Sequence, residues 1–185
     1  MISGMTYIPN YIDRVGADYL VSCIDEKPWS NELKRRTQHY GYKYDYTRRS
    51  INESMKVEDI PNFMIAITKS ITDYASFKEM PDQVIINEYL PGQGIAAHID
   101  CVPCFKNKIV SLSLLSPVIM EFSKGFDKFE LELEPRSLLI LDGIARYEWY
   151  HCIPARKVDY GVARERRISL TFRKVILSDK EQIAF

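Results

Sequence analysis

Of the three histidines in this 185-residue chain, two stand where a metal could use them. His98 and Asp100 lie two residues apart at the end of "INEYLPGQGIAAHID" (86–100), after a Pro-Gly turn, and His151 follows in "RYEWYHCIP". Side chains alternate faces along a strand, so His98 and Asp100 can point the same way. Two imidazoles and one carboxylate form the facial donor set of non-haem Fe(II) sites, which leaves positions open for substrate and O2. The plain alternative gives His98 a turn hydrogen bond and His151 a place in the core. Spacing alone leaves both open.

The last apolar run adds a second feature. In "RRISLTFRKV" (166–175), Arg167, Ser169, Thr171 and Arg173 share one face of a strand, and Ile168, Leu170 and Phe172 the other. If the apolar face packs under helices, two guanidiniums with small hydroxyl residues between them point inside. A buried guanidinium needs an anion, and arginine takes a carboxylate bidentately, so a dicarboxylate co-substrate would satisfy it. Asn87 and Tyr89, on one face of their own strand, could add hydrogen bonds. On an edge strand the same arginines would be exposed and would only discourage aggregation.

The elements that must position these residues differ between the two halves. Residues 8–36 read as helical, with Tyr11, Val15, Tyr19, Leu20 and Cys23 near helical spacing and a second short helix starting at Ser30. Tyrosines at 40, 42, 44 and 46 have strand periodicity, and a helix is expected within 58–79, after Pro61. From residue 83 the chain becomes a series of short runs ("QVIINEYL", "KIVSLSLL", "VIMEFSK", "KFELELE", "SLLILD", "RRISLTFRKV") separated by Pro, Gly, Asp and Ser. Many short strands at close spacing point to a sandwich or jelly roll. The expected fold class is α+β, with N-terminal helices packed on one sheet of a β core. We read one domain over 1–185, with helices and a substrate-lid segment in 1–80 and the core in 81–175.

Composition sets the outer limits. A hydrophobic content of 46% with 27% charged residues is that of an ordinary globular protein. The N-terminus lacks a secretory pattern, no apolar stretch reaches the ~20 residues of a membrane span, and four scattered cysteines do not make a disulfide framework. These features lead us to expect an intracellular monomer, in cytoplasm or nucleus, with no membrane association. Formal net charge is zero, but residues 31–50 hold six Lys/Arg against two acids and residues 156–174 hold seven against two, net +4 and +5. Such basic segments fit either a phosphate backbone or a solvated surface with no partner.

Taken in order, Asn87-x-Tyr89, His98-x-Asp100, His151, Arg167 and Arg173 resemble the AlkB family of Fe(II)- and 2-oxoglutarate-dependent dioxygenases, which act on modified nucleic-acid bases. The resemblance covers roughly residues 28–175 and implies a double-stranded β-helix, the jelly roll. It also implies Fe(II), 2-oxoglutarate and O2 as the working set, with His98, Asp100 and His151 on the metal. Arg167, helped by Tyr89, would meet the far carboxylate of 2-oxoglutarate, with Ser169 beside it; Asn87 and Arg173 would serve the end nearer the metal. Oxidative decarboxylation would yield succinate and CO2 and hydroxylate a nearby carbon. An N-methyl group would then leave as formaldehyde, whereas a carbon-attached group would stay hydroxylated.

In two places the chain departs from the DNA-repair members. They carry an acid two positions after the iron-binding Asp, where this chain has Val102. The stretches "HID", "IVSLSL" and "RRTQHYGYKYDY" look more like the AlkB-type domain of tRNA wobble-uridine hydroxylases. The other departure is Cys101-Val-Pro-Cys104, read as two ordinary loop cysteines, with a disulfide or a metal as alternatives. For nucleic acid, Arg35, Arg36, Arg48 and Arg49 are expected on phosphates and Tyr42 and Tyr44 against the base. The competing functions are an AlkB-like enzyme acting on protein or lipid, and a cupin-type metal-binding module without turnover.

Overall fold

Two antiparallel sheets carry the fold in the computed structural model, which describes residues 1–45 and 47–177. The larger runs β1 (Met5–Ile8), β8 (Leu138–Leu141), β5 (Phe105–Leu115), β12 (Arg167–Val175), β3 (Gln83–Tyr89), β2 (Thr37–Tyr40). The smaller runs β4 (Ile95–His98), β9 (Tyr150–Ile153), β6 (Val118–Lys124), β7 (Asp127–Leu133), and β10 (Val158–Asp159) with β11 (Val162–Ala163) makes a separate hairpin. Strands far apart in sequence are neighbours in both sheets, as in a jelly roll.

The alternation in β12 decides the layering. Ile168, Leu170 and Phe172 are fully buried against α1 (Arg14–Asp25) and α2 (Asn62–Tyr74), where they meet Leu20, Ile24, Met64 and Ile71. Each such side chain contributes on the order of 1.5–3 kcal/mol by leaving water. A second core fills the space between the sheets, with Ile109, Leu139 and Leu141 from the large one and Met120, Phe122 and Ile153 from the small one. The odd-numbered face of β12 looks into that inter-sheet space.

The N-terminal third differs from its sequence reading in detail. One helix forms within 8–36, with Asp13 Oδ1 accepting from Gly16 N at 2.7 Å as its N-cap. No helix starts at Ser30, because Ser30 and Thr37 exchange backbone hydrogen bonds of 2.8 and 3.0 Å across a reversal. The expected tyrosine strand stops at Tyr40. Gly41 turns there with φ 78°, and a Cβ on it would stand 1.8 Å from the Asp82 carbonyl oxygen, so only glycine fits. Beyond the turn Tyr42 and Tyr44 pack on the inter-sheet core, whereas Tyr40 lies under the helices. Tyr46 falls outside the described residues. Among those described, no helix is long and apolar enough to cross a membrane.

Candidate active site

Register places the two site histidines face to face. β4 pairs with β9 so that His98 stands opposite His151, with ring centroids 4.4 Å apart. Asp100 lies two residues beyond His98, and one donor atom from each of the three falls within 4.8 Å of the others. The His98 Nδ1 is 2.8 Å from the Ala96 carbonyl oxygen. A carbonyl only accepts, so Nδ1 carries the proton and Nε2 is left as the lone-pair nitrogen. Asp100 divides its oxygens: Oδ1 pairs with Arg173 at 2.6 Å, and Oδ2 faces His151 Nε2 at 3.5 Å.

Electrostatics prepare these groups for a cation. Burial alone would raise the Asp100 carboxyl, but Arg173, then the two histidines and Arg146, outweigh it and hold the acid well below its usual range. Burial pushes His151 down to about 4 against the pull of Asp100. At neutral pH the trio is therefore one carboxylate and an unprotonated His151, needing no proton release from either to ligate. Hard carboxylate plus imidazoles suits Fe(II), and the residues fit the ion that the donor set implies.

A cavity of about 550 Å³ opens beside the trio, lined by both sheets and by the segment before β3, including Asn87, Tyr89, Ser169, Thr171 and Arg173. Arg167 is not on its lining. It is 2% exposed, lies 5.5 Å from the centre of the Tyr89 ring, and donates from Nη2 to Ser113 Oγ at 2.9 Å. Its Nε and Nη1 meet no acceptor among the described residues, and burial lowers its pKa to about 10. Two nitrogens without an acceptor on a buried guanidinium are a deficit that a carboxylate could fill. Ser169 Oγ lies 3.0 Å from Ser111 Oγ, and Asn87 Oδ1 accepts from Arg35 Nε at 2.8 Å. Arg173 is engaged with Asp100 itself rather than standing apart for co-substrate.

The expected substrate residues divide. Arg35, Arg49 and Tyr44 line the cavity, with Tyr44 also packed 5.8 Å from the Phe105 ring. Arg36 instead forks onto Glu88 at 2.6 and 2.7 Å and stacks on Trp29, on the opposite face of β3 from Asn87 and Tyr89. Arg48 is exposed beside Asp45, away from the lining, and Tyr42 is a packing residue of the inter-sheet core. The basic segment 156–174 largely dissolves in the same way. Arg156 and Arg164 both bind Asp159, Arg166 binds Glu88 and Asp25, and Lys174 binds Asp82 and Glu79. Arg167 is buried beside Tyr89 and Arg173 pairs with Asp100, leaving Lys157 as the one cation of the seven with no ion pair or site role among the described residues.

The sequence reading passed over two positions. Tyr150, next to His151 and 50% exposed, lines the cavity, and Arg146 is buried against the Asp100 backbone. Cys101 and Cys104 are also not separate loop thiols. A tight turn, with Cys104 N donating to Cys101 O at 3.2 Å, brings their Cα atoms to 5.2 Å, and the two are disulfide-bonded. Their sulfurs lie 3.2 and 3.3 Å from the Arg49 carbonyl oxygen.

Comparison with known proteins gives the arrangement a family. Residues 26–173 match the 2OG-Fe(II) oxygenase superfamily. The chain is 35% identical over 203 residues to the alkylated DNA repair protein ALKBH8 homolog of Arabidopsis thaliana, covering 94% of this chain and 59% of that protein. It is 34% identical over 164 residues to the tRNA (carboxymethyluridine(34)-5-O)-methyltransferase ALKBH8 of Mus musculus, covering 76% of this chain but 24% of that protein. The solved structure of OsALKBH1 superposes with a TM-score of 0.69 at 17% identity, over 94% of this chain and 98% of that one, which supports the shared fold. The register-paired His-Asp-His donors, the buried arginine and these matches agree: the chain belongs to the 2OG-Fe(II) oxygenase superfamily as an AlkB homologue, a 2-oxoglutarate-dependent dioxygenase that works with Fe(II), 2-oxoglutarate and O2.

Proposed function

We propose that the protein hydroxylates a neutral or anionic side group on a base in RNA, with a tRNA wobble uridine as the leading substrate. The observation that carries this reading is the charge of the cavity mouth. Arg35 and Arg49 line the cavity, and among the described residues the one carboxylate on its lining, Asp100, is already paired with Arg173. A cationic N-alkylated adenine or cytosine finds no free acid there, since Val102 stands where the repair enzymes carry one. A carbonyl- or carboxyl-bearing side group finds the Arg35 guanidinium as a donor instead, with Arg49 left for a flanking phosphate. The mouse relative's name refers to carboxymethyluridine at tRNA position 34, which accords with that chemistry.

The roles follow from placement. His98, Asp100 and His151 would hold Fe(II), which when bound supplies the site where O2 oxidises 2-oxoglutarate to succinate and CO2. Arg167 would bind the far carboxylate through its unmet Nε and Nη1, with the Tyr89 ring packed beside it and Ser169 leaving room. Asn87 and Arg173 would order the end near the metal, Arg173 while keeping Asp100 Oδ1 occupied. Tyr44 and Tyr150 would flank an extruded base, and apolar walls such as Ile95 and Met120 keep water from the reacting carbon. We place this activity inside the cell, in a monomer acting as a single catalytic domain.

A second reading, removal of methyl groups from DNA, has the Arabidopsis relative's name in its favour. One experiment separates them: incubate the protein with Fe(II), 2-oxoglutarate and either tRNA or methylated DNA, then examine nucleosides by mass spectrometry. A hydroxylated uridine is the expected product. Formaldehyde and repaired bases from DNA alone would replace this reading with the second, and oxidation of neither nucleic acid would point to a protein or lipid substrate.

A further inference from the structure

Asp100 is the one candidate metal ligand that no strand ladder secures. β4 ends at His98, and Ile99 and Asp100 run on without regular structure into the Cys101 turn. A ligand needs its backbone held as well as its carboxylate, and here the hold comes from elsewhere in the chain. Arg146, on the short helix α3 (Gly143–Tyr147), donates from Nη1 to the Asp100 carbonyl oxygen at 2.8 Å and from Nη2 to the Cys101 carbonyl oxygen at 3.3 Å.

We propose that Arg146 is a positioning residue for the metal centre: by gripping two successive carbonyls it sets where the Asp100 carboxylate stands. Three observations support this beyond the contacts themselves. Arg146 is 2% exposed, yet among the described residues it forms no ion pair, and its Nε meets no partner. A guanidinium buried merely to fill space is a poor choice, since an apolar side chain of similar volume there is often neutral or better for stability. Its perch is also braced. Asp142 caps α3 through Gly143 N at 2.7 Å and is itself held by Lys108 at 2.7 Å, while Ala145 N donates to Ser3 O at 3.1 Å. Finally, Arg146 lies five residues before His151, so one short stretch supplies a ligand and the clamp on another ligand.

Asp100 is thus fixed at both ends, its carbonyl by Arg146 and Oδ1 by Arg173, leaving Oδ2 as the oxygen aimed at the histidines. Partners that orient ligands in this way typically change metal affinity by roughly 10–100-fold when removed.

The test uses the apo protein and Co(II), whose visible absorption reports both affinity and coordination geometry, with no 2-oxoglutarate or nucleic acid added. Arg146→Gln should bind Co(II) at least tenfold more weakly, with an altered band. Arg146→Lys, reaching one carbonyl rather than two, should fall between it and the parent. Thermal unfolding of each variant is measured alongside. A folded Arg146→Gln with Co(II) affinity and spectrum within twofold of the parent would overturn the proposal, whatever its melting temperature. If Arg146→Gln does not fold, Arg146→Lys decides, and unchanged Co(II) binding in it overturns the proposal equally. Failure of both variants to fold would make Arg146 a general requirement of the fold, which also counts against a role specific to the metal.

Discussion

Arg173 Nη2 and Asp100 Oδ1 form an ion pair of 2.6 Å, so the candidate metal-binding carboxylate has a cationic partner on that oxygen. The pair lies inside the protein, with side-chain exposures of 11% and 6%. Removing one member of such a pair leaves the other buried and uncompensated.

That asymmetry distinguishes the ligands. His98→Ala and Asp100→Ala should each abolish 2-oxoglutarate turnover. Only Asp100→Ala should also destabilise the apo protein substantially, by about 3–5 kcal/mol, because it strands Arg173. Urea unfolding of both variants, beside succinate assays, checks this. Retained turnover in either would remove that residue from the metal centre.

Arg167→Lys keeps the charge but loses the fork, and its ammonium cannot serve both acceptor directions left open by Nε and Nη1. The apparent affinity for 2-oxoglutarate should fall about tenfold or more. Isothermal titration with the Co(II)-loaded protein gives the number, and an unchanged value would mean the co-substrate's carboxylate lies elsewhere.

The substrate side should show a contrast between neighbours. Arg49→Ala should weaken tRNA binding and lower the salt slope by about 0.7–0.9, the increment for one phosphate no longer neutralised. Arg36→Ala should leave the slope alone and instead cost stability, since it deprives buried Glu88 of a forked partner. Likewise Tyr44→Ala should slow base oxidation, whereas Tyr42→Ala should chiefly loosen the inter-sheet core. Equal salt slopes for Arg36→Ala and Arg49→Ala would contradict this division.

Acid should unlatch the β10–β11 hairpin. Burial would raise Asp159, but hydrogen bonds from Arg164, then Arg156 and Ile119 N, bring it down from 3.8 to about 2. A carboxyl depressed in the folded state contributes stability that is present above the unfolded value and lost as pH falls through the folded one. Asp159→Asn should therefore melt lower than the parent at pH 6, by about 1–3 kcal/mol, with the gap closing as pH falls from about 4 to about 2. A gap that stays constant over that window would show that packing, not charge, holds the hairpin.

What could be read from the sequence follows the reach of each signal. β12 was legible because alternation is local, and Ile168, Leu170 and Phe172 face the helices as their spacing indicates. The tyrosine row was misread because a single glycine at 41 turns the chain between Tyr40 and Tyr42, which periodicity does not register. Much of the basic charge has partners that local sequence does not reveal: Arg36 pairs with Glu88, far along the chain. Asp159 was a nearer clue, standing three residues from Arg156 and five from Arg164, and its acid neutralises both. Arg146 gave no pattern at all, because what marks it is burial and two carbonyls 45 and 46 residues away.

β12 runs between the helix layer and the catalytic cavity, so its mutational tolerance should carry a rhythm of two. In a library covering residues 167–175, selection for abundance would purge polar changes at Ile168, Leu170 and Phe172. Selection for chemistry would purge changes at Arg167, Ser169 and Arg173, and small changes at Ser169 would do so without loss of abundance. Genetic drift in this strand can then alter catalysis and expression almost independently, one residue apart.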